Sequence, residues 1–204
     1  MYIKLTVNIC SSTIIEAVES ECGFHSTLAF AYFYFDFKDP AKQKYTNLIC
    51  SLIKQLSWHF QNIPSVLQGL YSQKQNGTQK PTSGALLTLL KELCWPFRHT
   101  YIILDALDEC TGTERRDVLG FTEILVGWRF DNLHLLVTSQ KLLEIQHHLE
   151  SLNCSQFDLG MTLIWWDIQI YVHTILAGDE GFRHWRANGK RLIEDTLMNG
   201  ANGM

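Results

Sequence analysis

The sequence predicts an α/β fold, a doubly wound parallel sheet followed by a C-terminal helical extension. Three observations carry this reading. Leu28–Phe35, Tyr101–Leu104 and Leu133–Val137 are each apolar on both faces, which marks strands covered by helices on either side. Between them, apolar residues recur at spacings of three and four, as on amphipathic helices. Strands alternating with helices build a parallel sheet, because parallel neighbours need a crossover connection. No internal repeat or low-complexity tract interrupts the pattern.

Taken in order, Met1–Cys10 is mildly apolar, and Tyr2, Ile3, Leu5, Val7 and Ile9 are β-prone enough to suggest a strand over residues 2–9. Ser11–Val18 reads as a helix with a Ser/Thr start. Leu28–Phe35 is the first strand, dense in aromatics and expected in the middle of the sheet, and Asp36–Pro40 is a turn in which Asp36 and Asp39 are turn residues. Tyr45, Leu48, Ile49, Leu52, Ile53, Leu56 and Phe60 then mark a strongly amphipathic helix. A second helix is expected over Pro64–Tyr71, and Gln75–Pro81 is a polar, Gly/Pro-marked loop. Thr82 or Ser83 caps a leucine-rich helix that stops before Pro96. Tyr101–Leu104 is the second strand, followed by a charged helix over Glu114–Val126. Leu133–Val137 is the third, followed by a helix over Leu142–Leu152 and a short edge strand near Cys154–Leu159. The last third, Asp167–Leu176 and Lys190–Met198, reads as helical. The expected organisation is therefore an atypical N-terminus over 1–10, an α/β core over 11–160, and a helical extension over 161–204.

The composition narrows the function classes. In 204 residues, 46% are hydrophobic and 19% charged, which is enough for one packed domain. The net charge of -4 offers no basic footprint for nucleic acid and no polybasic membrane patch, so neither is an expected partner. The longest apolar run, Leu28–Phe35, falls far short of the ~20 residues that cross a bilayer. Cys10, Cys22, Cys50, Cys94, Cys110 and Cys154 form no Cys-x-x-Cys and no Cys/His cluster. Buried reduced thiols in a cytoplasmic protein are the plainer reading, against a zinc site or a disulfide scaffold. His147, His148 and His173 lack metal-ligand partners in the sequence.

Open parallel sheets bind ligands at the carboxyl ends of their strands, so those ends are the residues to read. In Tyr101-Ile-Ile-Leu-Asp-Ala-Leu-Asp-Glu109, four apolar residues carry Asp105 to the tip of a buried strand and two more acids follow. Such a tip acid suits the water shell of a Mg²⁺ that bridges nucleotide phosphates, and an acid just beyond it can orient or deprotonate a water. This is the shape of a Walker B motif, with Asp105 on the metal side and Asp108 and Glu109 as water-activating acids. The competing reading is that Asp108 and Glu109 merely favour the positive start of the next helix. At the third strand's end, Thr138 and Ser139 are either an ordinary helix N-cap or a hydroxyl contact to a γ-phosphate, with Ser139 the sensor candidate.

Four ordered blocks carry a resemblance. Leu28–Phe37, Asn47–Leu56, Tyr101–Cys110 and Asn132–Ser139 together resemble the NACHT domain, a STAND-class P-loop NTPase, and most of all the nephrocystin-type NACHT modules of many fungal multidomain proteins. The resemblance implies a sheet of the P-loop NTPase type, a signal-transduction NTPase using Mg²⁺ with ATP or GTP, and nucleotide-gated oligomerisation in innate-type recognition or programmed cell death. It also implies self-association through NACHT modules, an effector domain upstream, and ankyrin or WD-type repeats downstream. By the same resemblance Asp105 is the Mg²⁺-side acid and Asp108 and Glu109 are catalytic.

Two departures qualify what the resemblance implies. The family's phosphate loop, Gly-x-x-x-x-Gly-Lys-Ser/Thr, belongs just before the first helix, where its N–H groups and lysine cradle phosphates. Here Ile3–Cys10 holds no glycine, and Lys4 stands too early to be that lysine. Gln140 stands where resembling proteins usually carry Arg, which replaces a fixed charge with a neutral amide. Both ends read as cut, so the expectation is a Walker B half without Walker A, inactive as it stands. The alternative is a non-enzymatic module that modulates intact NACHT proteins. A different enzyme has little support, because Ser139 has no Gly-flanked elbow.

Overall fold

The structure is a computed structural model, and it describes residues 9–74, 77–152, 154–155, 161–178, 180–182 and 184–201. The chain forms two compact units, Met1–Phe157 and Asp158–Met204. In the first, the elements run α1 (Ile9–Phe24), β1 (Leu28–Tyr34), α2 (Tyr45–Ser57), α3 (Ser65–Gln73), α4 (Ser83–Cys94), β2 (His99–Asp105), α5 (Gly112–Gly127), β3 (Leu133–Val137) and α6 (Leu143–Ser151). The fold is mixed α/β, as the sequence predicts. All three strands are parallel in one sheet of order β1-β2-β3, paired from Leu28 with His99 to Tyr34 with Asp105, and from Thr100 with Leu133 to Leu104 with Val137.

Each element follows from local chemistry. Asp36 and Asp39 are turn residues, accepting from the N–H groups of Lys38 and Ala41 at 2.9 Å. In α2, Leu48, Ile49, Leu52, Ile53 and Leu56 form one buried stripe. Thr82, not Ser83, caps α4 by accepting from the Ala85 N–H at 3.3 Å. Strand β2 starts two residues earlier than its apolar run, because Thr100 is fully buried with its hydroxyl on the Cys94 carbonyl at 3.1 Å. One core joins Ala29, Ala31 and Phe33 of β1 to the leucines of α2 and α4, to Val118 and Phe121 of α5, and to Ile145 of α6.

Some expectations need correction. Strand β1 does not sit in the middle of the described sheet; β2 does. Only one face of β1 is fully buried, and the aromatics of the other, Phe30, Tyr32 and Tyr34, stand in a half-buried ladder with successive ring centroids 6.2 and 5.3 Å apart. What made the segment look central is the apolar body of these rings; the hydroxyl tips of Tyr32 and Tyr34 tolerate water. Not every described thiol is buried: Cys50 is exposed, although Cys22, Cys94 and Cys110 are buried and unbridged. The suggested strand over 2–9 lies outside the described residues except for Ile9, which opens α1. The expected edge strand near Cys154–Leu159 also lies outside them except for Cys154 and Ser155.

The edge of β1 is closed by side chains. The Gln55 amide accepts from the Tyr32 N–H at 3.0 Å and donates to the Tyr32 carbonyl at 2.8 Å, pairing as a strand residue would. One turn later in sequence, the His59 Nε2 meets the Phe30 N–H at 3.3 Å and the Phe30 carbonyl at 3.1 Å. Gln55 on α2 and His59 just beyond its end thereby cover an edge that would otherwise invite another chain, the His59 nitrogen serving one of its two Phe30 contacts according to its tautomer.

The second unit, described by itself, contains α7 (Met161–Gly178) and α8 (Ala187–Ala201), which enclose the two helices expected from the sequence. Glu194 of α8 accepts from the Gln169 amide at 3.4 Å and lies 3.8 Å from His173 of α7. Among the described residues, no helix is long and apolar enough to cross a membrane.

Gln55→Ala should lower the free energy of unfolding by about 1–3 kcal/mol, because it strands a donor and an acceptor of Tyr32 at once. Gln55→Glu, which keeps the acceptor alone, should fall between. Urea midpoints check this; an Ala variant as stable as the parent would remove the edge-closing role.

Candidate functional site

The site is built at the carboxyl ends of the three strands. Asp105 closes β2 and is only 4% exposed. A carboxylate so placed needs a partner, and it has one: Thr138, directly after β3, donates its hydroxyl to Asp105 Oδ1. The same hydroxyl accepts from the Ala106 N–H at 3.0 Å, and the Leu107 N–H donates to the Thr138 carbonyl at 2.9 Å. Ala106 takes the left-handed conformation, φ 57 and ψ 48, at a cost of roughly 1–2 kcal/mol for a residue with a Cβ. A strained residue in a strand-end loop is a mark of functional sites.

That turn starts a short 3-10 segment, Leu107–Glu109, from which the other two acids point to different strands. Asp108 Oδ1 accepts from the Gln140 N–H at 2.9 Å, beyond β3. Glu109 Oε2 accepts from the Phe37 N–H at 3.3 Å, beyond β1. Neither lies in α5, which begins only at Gly112; both stand in the first turn of the short 3-10 segment, so the competing reading is corrected as to which helix start they occupy. The alternative N-cap role for Thr138 and Ser139 is also corrected. Leu142 is the N-cap of α6, without a side-chain bond, and the Ser139 hydroxyl donates to the Gln140 carbonyl at 2.8 Å.

Two residues that sequence reading passed over hold the loop. The Gln43 amide donates to the carbonyls of Asp36 at 2.7 Å and Glu109 at 3.0 Å, and its oxygen accepts from the Thr111 N–H at 3.2 Å. Arg115 donates from Nε to the Cys110 carbonyl at 2.6 Å and from its guanidinium to the Asp108 carbonyl at 2.8 Å. Gln43 could not have been found by spacing, since it reaches across 66 residues. Arg115, one turn into α5, was within range of the motif and is a cation held against it, already committed to backbone oxygens and to Glu144 at 3.5 Å.

The site's field is negative. Burial first, and then the charge of Asp105, push the Tyr34 hydroxyl above its usual range, with Tyr32 and Glu16 adding to the effect. Cys110, next to the acids, is no thiolate nucleophile. Burial foremost pushes its thiol up to about 11, and its Sγ donates to the Gln43 carbonyl at 3.6 Å.

Among the described residues, no three His, Cys, Asp or Glu side chains lie close enough to hold a metal ion. A Mg²⁺ held by protein alone does not fit this donor set. A Mg²⁺ brought in with phosphates needs only one or two carboxylates, and the strand-tip candidate, Asp105, is buried with its Oδ1 bonded to Thr138.

The family described as Nephrocystin 3, N-terminal matches residues 8–140, so the four blocks fall inside the match and residues 141–204 outside it. No curated protein matches. Among solved structures, a chain of "Structure of Drosophila ORC bound to DNA" is similar at 18% identity with a TM-score of 0.27, covering 72% of this chain and 92% of that one. A likeness so low carries no argument.

Thr138→Val removes the donor to Asp105 and the acceptor for Ala106 together and should cost about 2–4 kcal/mol of stability. Thr138→Ser keeps the hydroxyl and should cost about 1 kcal/mol for the lost methyl group. Chemical denaturation of both variants checks this; equal losses would mean that packing, not hydrogen bonding, holds the loop.

Proposed function

The chain belongs to the nephrocystin 3 N-terminal family, and from that premise we propose that it is the Walker B-bearing part of a NACHT-type signal-transduction NTPase, one that does not turn nucleotide over by itself. The observation that carries this reading is the acid triplet. Asp105 stands at the tip of the central strand of the described sheet, and Asp108 and Glu109 fan from one strained turn to the two neighbouring strand ends. In this reading Asp105 faces Mg²⁺ through water, Asp108 and Glu109 orient the attacking water, and Ser139 touches the γ-phosphate. Mg²⁺, when bound with ATP or GTP, would neutralise phosphate charge. Nucleotide state would gate self-association, with an effector domain upstream, ankyrin or WD-type repeats downstream, and a cytoplasmic setting.

Inactivity of these residues alone follows from charge and occupancy. Nowhere does the sequence contain Gly-x-x-x-x-Gly-Lys-Ser/Thr. Three or four phosphate charges would enter beside three carboxylates, with the Arg115 guanidinium committed to Cys110 and Asp108 carbonyls. The water-activating pair is also occupied, each acid already accepting from a backbone N–H.

Equilibrium binding of labelled ATP and GTP with Mg²⁺ tests the proposal on the parent, Asp105→Ala and Glu109→Gln. No binding in any of the three at roughly micromolar concentration is expected. Micromolar binding by the parent that Asp105→Ala abolishes would contradict it and show a complete site.

A further inference from the structure

Away from the acids, helices α2, α3 and α4 enclose an open groove of about 500 Å³. Small-molecule sites span roughly 300–1,000 Å³, so the space suits one small ligand and not a folded partner. Its floor is aliphatic: Ile53 from α2, Leu67 and Leu70 from α3, Leu86 and Leu89 from α4. Two aromatics stand at its wall largely in water, Trp58 at 71% exposure and Tyr71 at 56%. Large aromatics left wet around an aliphatic floor mark a surface that gains by being covered.

The wall is built in place. Gly77 adopts φ +87, and a Cβ there would stand 2.8 Å from the Tyr71 ring. Only glycine therefore lets this loop close on Tyr71. The N–H groups of Gly77 and Gln79 both donate to the Lys74 carbonyl, at 3.1 and 3.2 Å, which fixes the loop against the end of α3.

The charge at the groove has one sign. Lys54, Lys74 and Lys80 line it, and among the described residues no Asp or Glu does. Lysines at such a rim lay their methylene stems along apolar surface and hold their amines at the mouth. Lys54 stands with its Nζ over the Trp58 ring, 5.2 Å from the centroid, which places one amine at the aromatic wall. An aliphatic floor under three amines complements a molecule with a hydrocarbon tail and one anionic head.

We propose that this groove binds a long-chain carboxylate, its chain on Ile53 of α2 and the leucines of α3 and α4 and its head among Lys54, Lys74 and Lys80. Amines on flexible stems suit a mobile carboxylate, which needs point charges more than a planar fork. The site shares no residue with the acid triplet, so it stands or falls apart from the nucleotide reading.

Calorimetric titration of the intact chain with dodecanoate, dodecyltrimethylammonium and dodecanol tests it. Dodecanoate should saturate a single site, the cation should not bind, and the alcohol should bind more weakly. Lys54→Glu with Lys80→Glu, both exposed positions, should weaken dodecanoate roughly tenfold or more, with an unchanged denaturation midpoint. Gly77→Ala, which displaces the Tyr71 wall, should weaken all chains alike. No saturable dodecanoate binding, equal affinity for the three head groups, or an unchanged affinity in the lysine variant would each overturn the proposal. Saturable binding of an acidic amphipathic peptide in place of dodecanoate would overturn it too and assign the groove to a protein.

Discussion

The hydrogen bond between Thr138 and Asp105 is the contact on which the rest of the site depends. Four apolar residues drive an acid to the end of a buried strand, and burial of an unpartnered carboxylate would be very costly. Thr138 removes that cost and, through the same oxygen, accepts the Ala106 N–H at 3.0 Å. That second bond helps offset the left-handed turn at Ala106, which the chain must make to bring its next two acids outward. From there Asp108 reaches the residue after Ser139 and Glu109 reaches the residue after Asp36. Three strand ends are tied together by three carboxylates.

This arrangement gives the acids two roles in tension. As hydrogen-bond acceptors they hold the sheet's functional rim, with Gln43 and Arg115 clamping the loop from behind. As water- and metal-facing groups they would have to release at least part of those bonds. Burial first, and the charge of Asp105 second, lift the hydroxyl of Tyr34 beside the rim.

The parallel sheet and most helices were legible in the sequence, because runs such as Tyr101–Leu104 and the stripe Leu48–Leu56 leave little choice of period. The position of β1 in the sheet was not, since Phe30, Tyr32 and Tyr34 are apolar by type yet half-exposed in fact. Its closure by Gln55 and His59 had no local signal either: a glutamine inside a helix looks like any solvated residue until the strand across from it is known. Within the site, Asp105, Asp108 and Glu109 were visible as a motif, but their partners were not. Thr138 looked like a cap, and the bond that decides its role crosses 33 residues. Periodicity reports what each segment buries; it is silent on which polar groups meet once the segments are assembled.

The central claim is that the acid rim is a closed hydrogen-bonded clip in the folded chain. Native-state hydrogen exchange at three amides tests it most directly: Ala106 on Thr138, Gln140 on Asp108, and Phe37 on Glu109. The account predicts that Ala106, buried at 5% exposure, exchanges only with global unfolding. Gln140 and Phe37 should be protected in the parent, and each should lose protection separately in Asp108→Ala and Glu109→Ala, which remove the acceptor. Exchange of all three at the rate of an unstructured chain would mean that the clip does not exist and that the acids stand free at the strand ends.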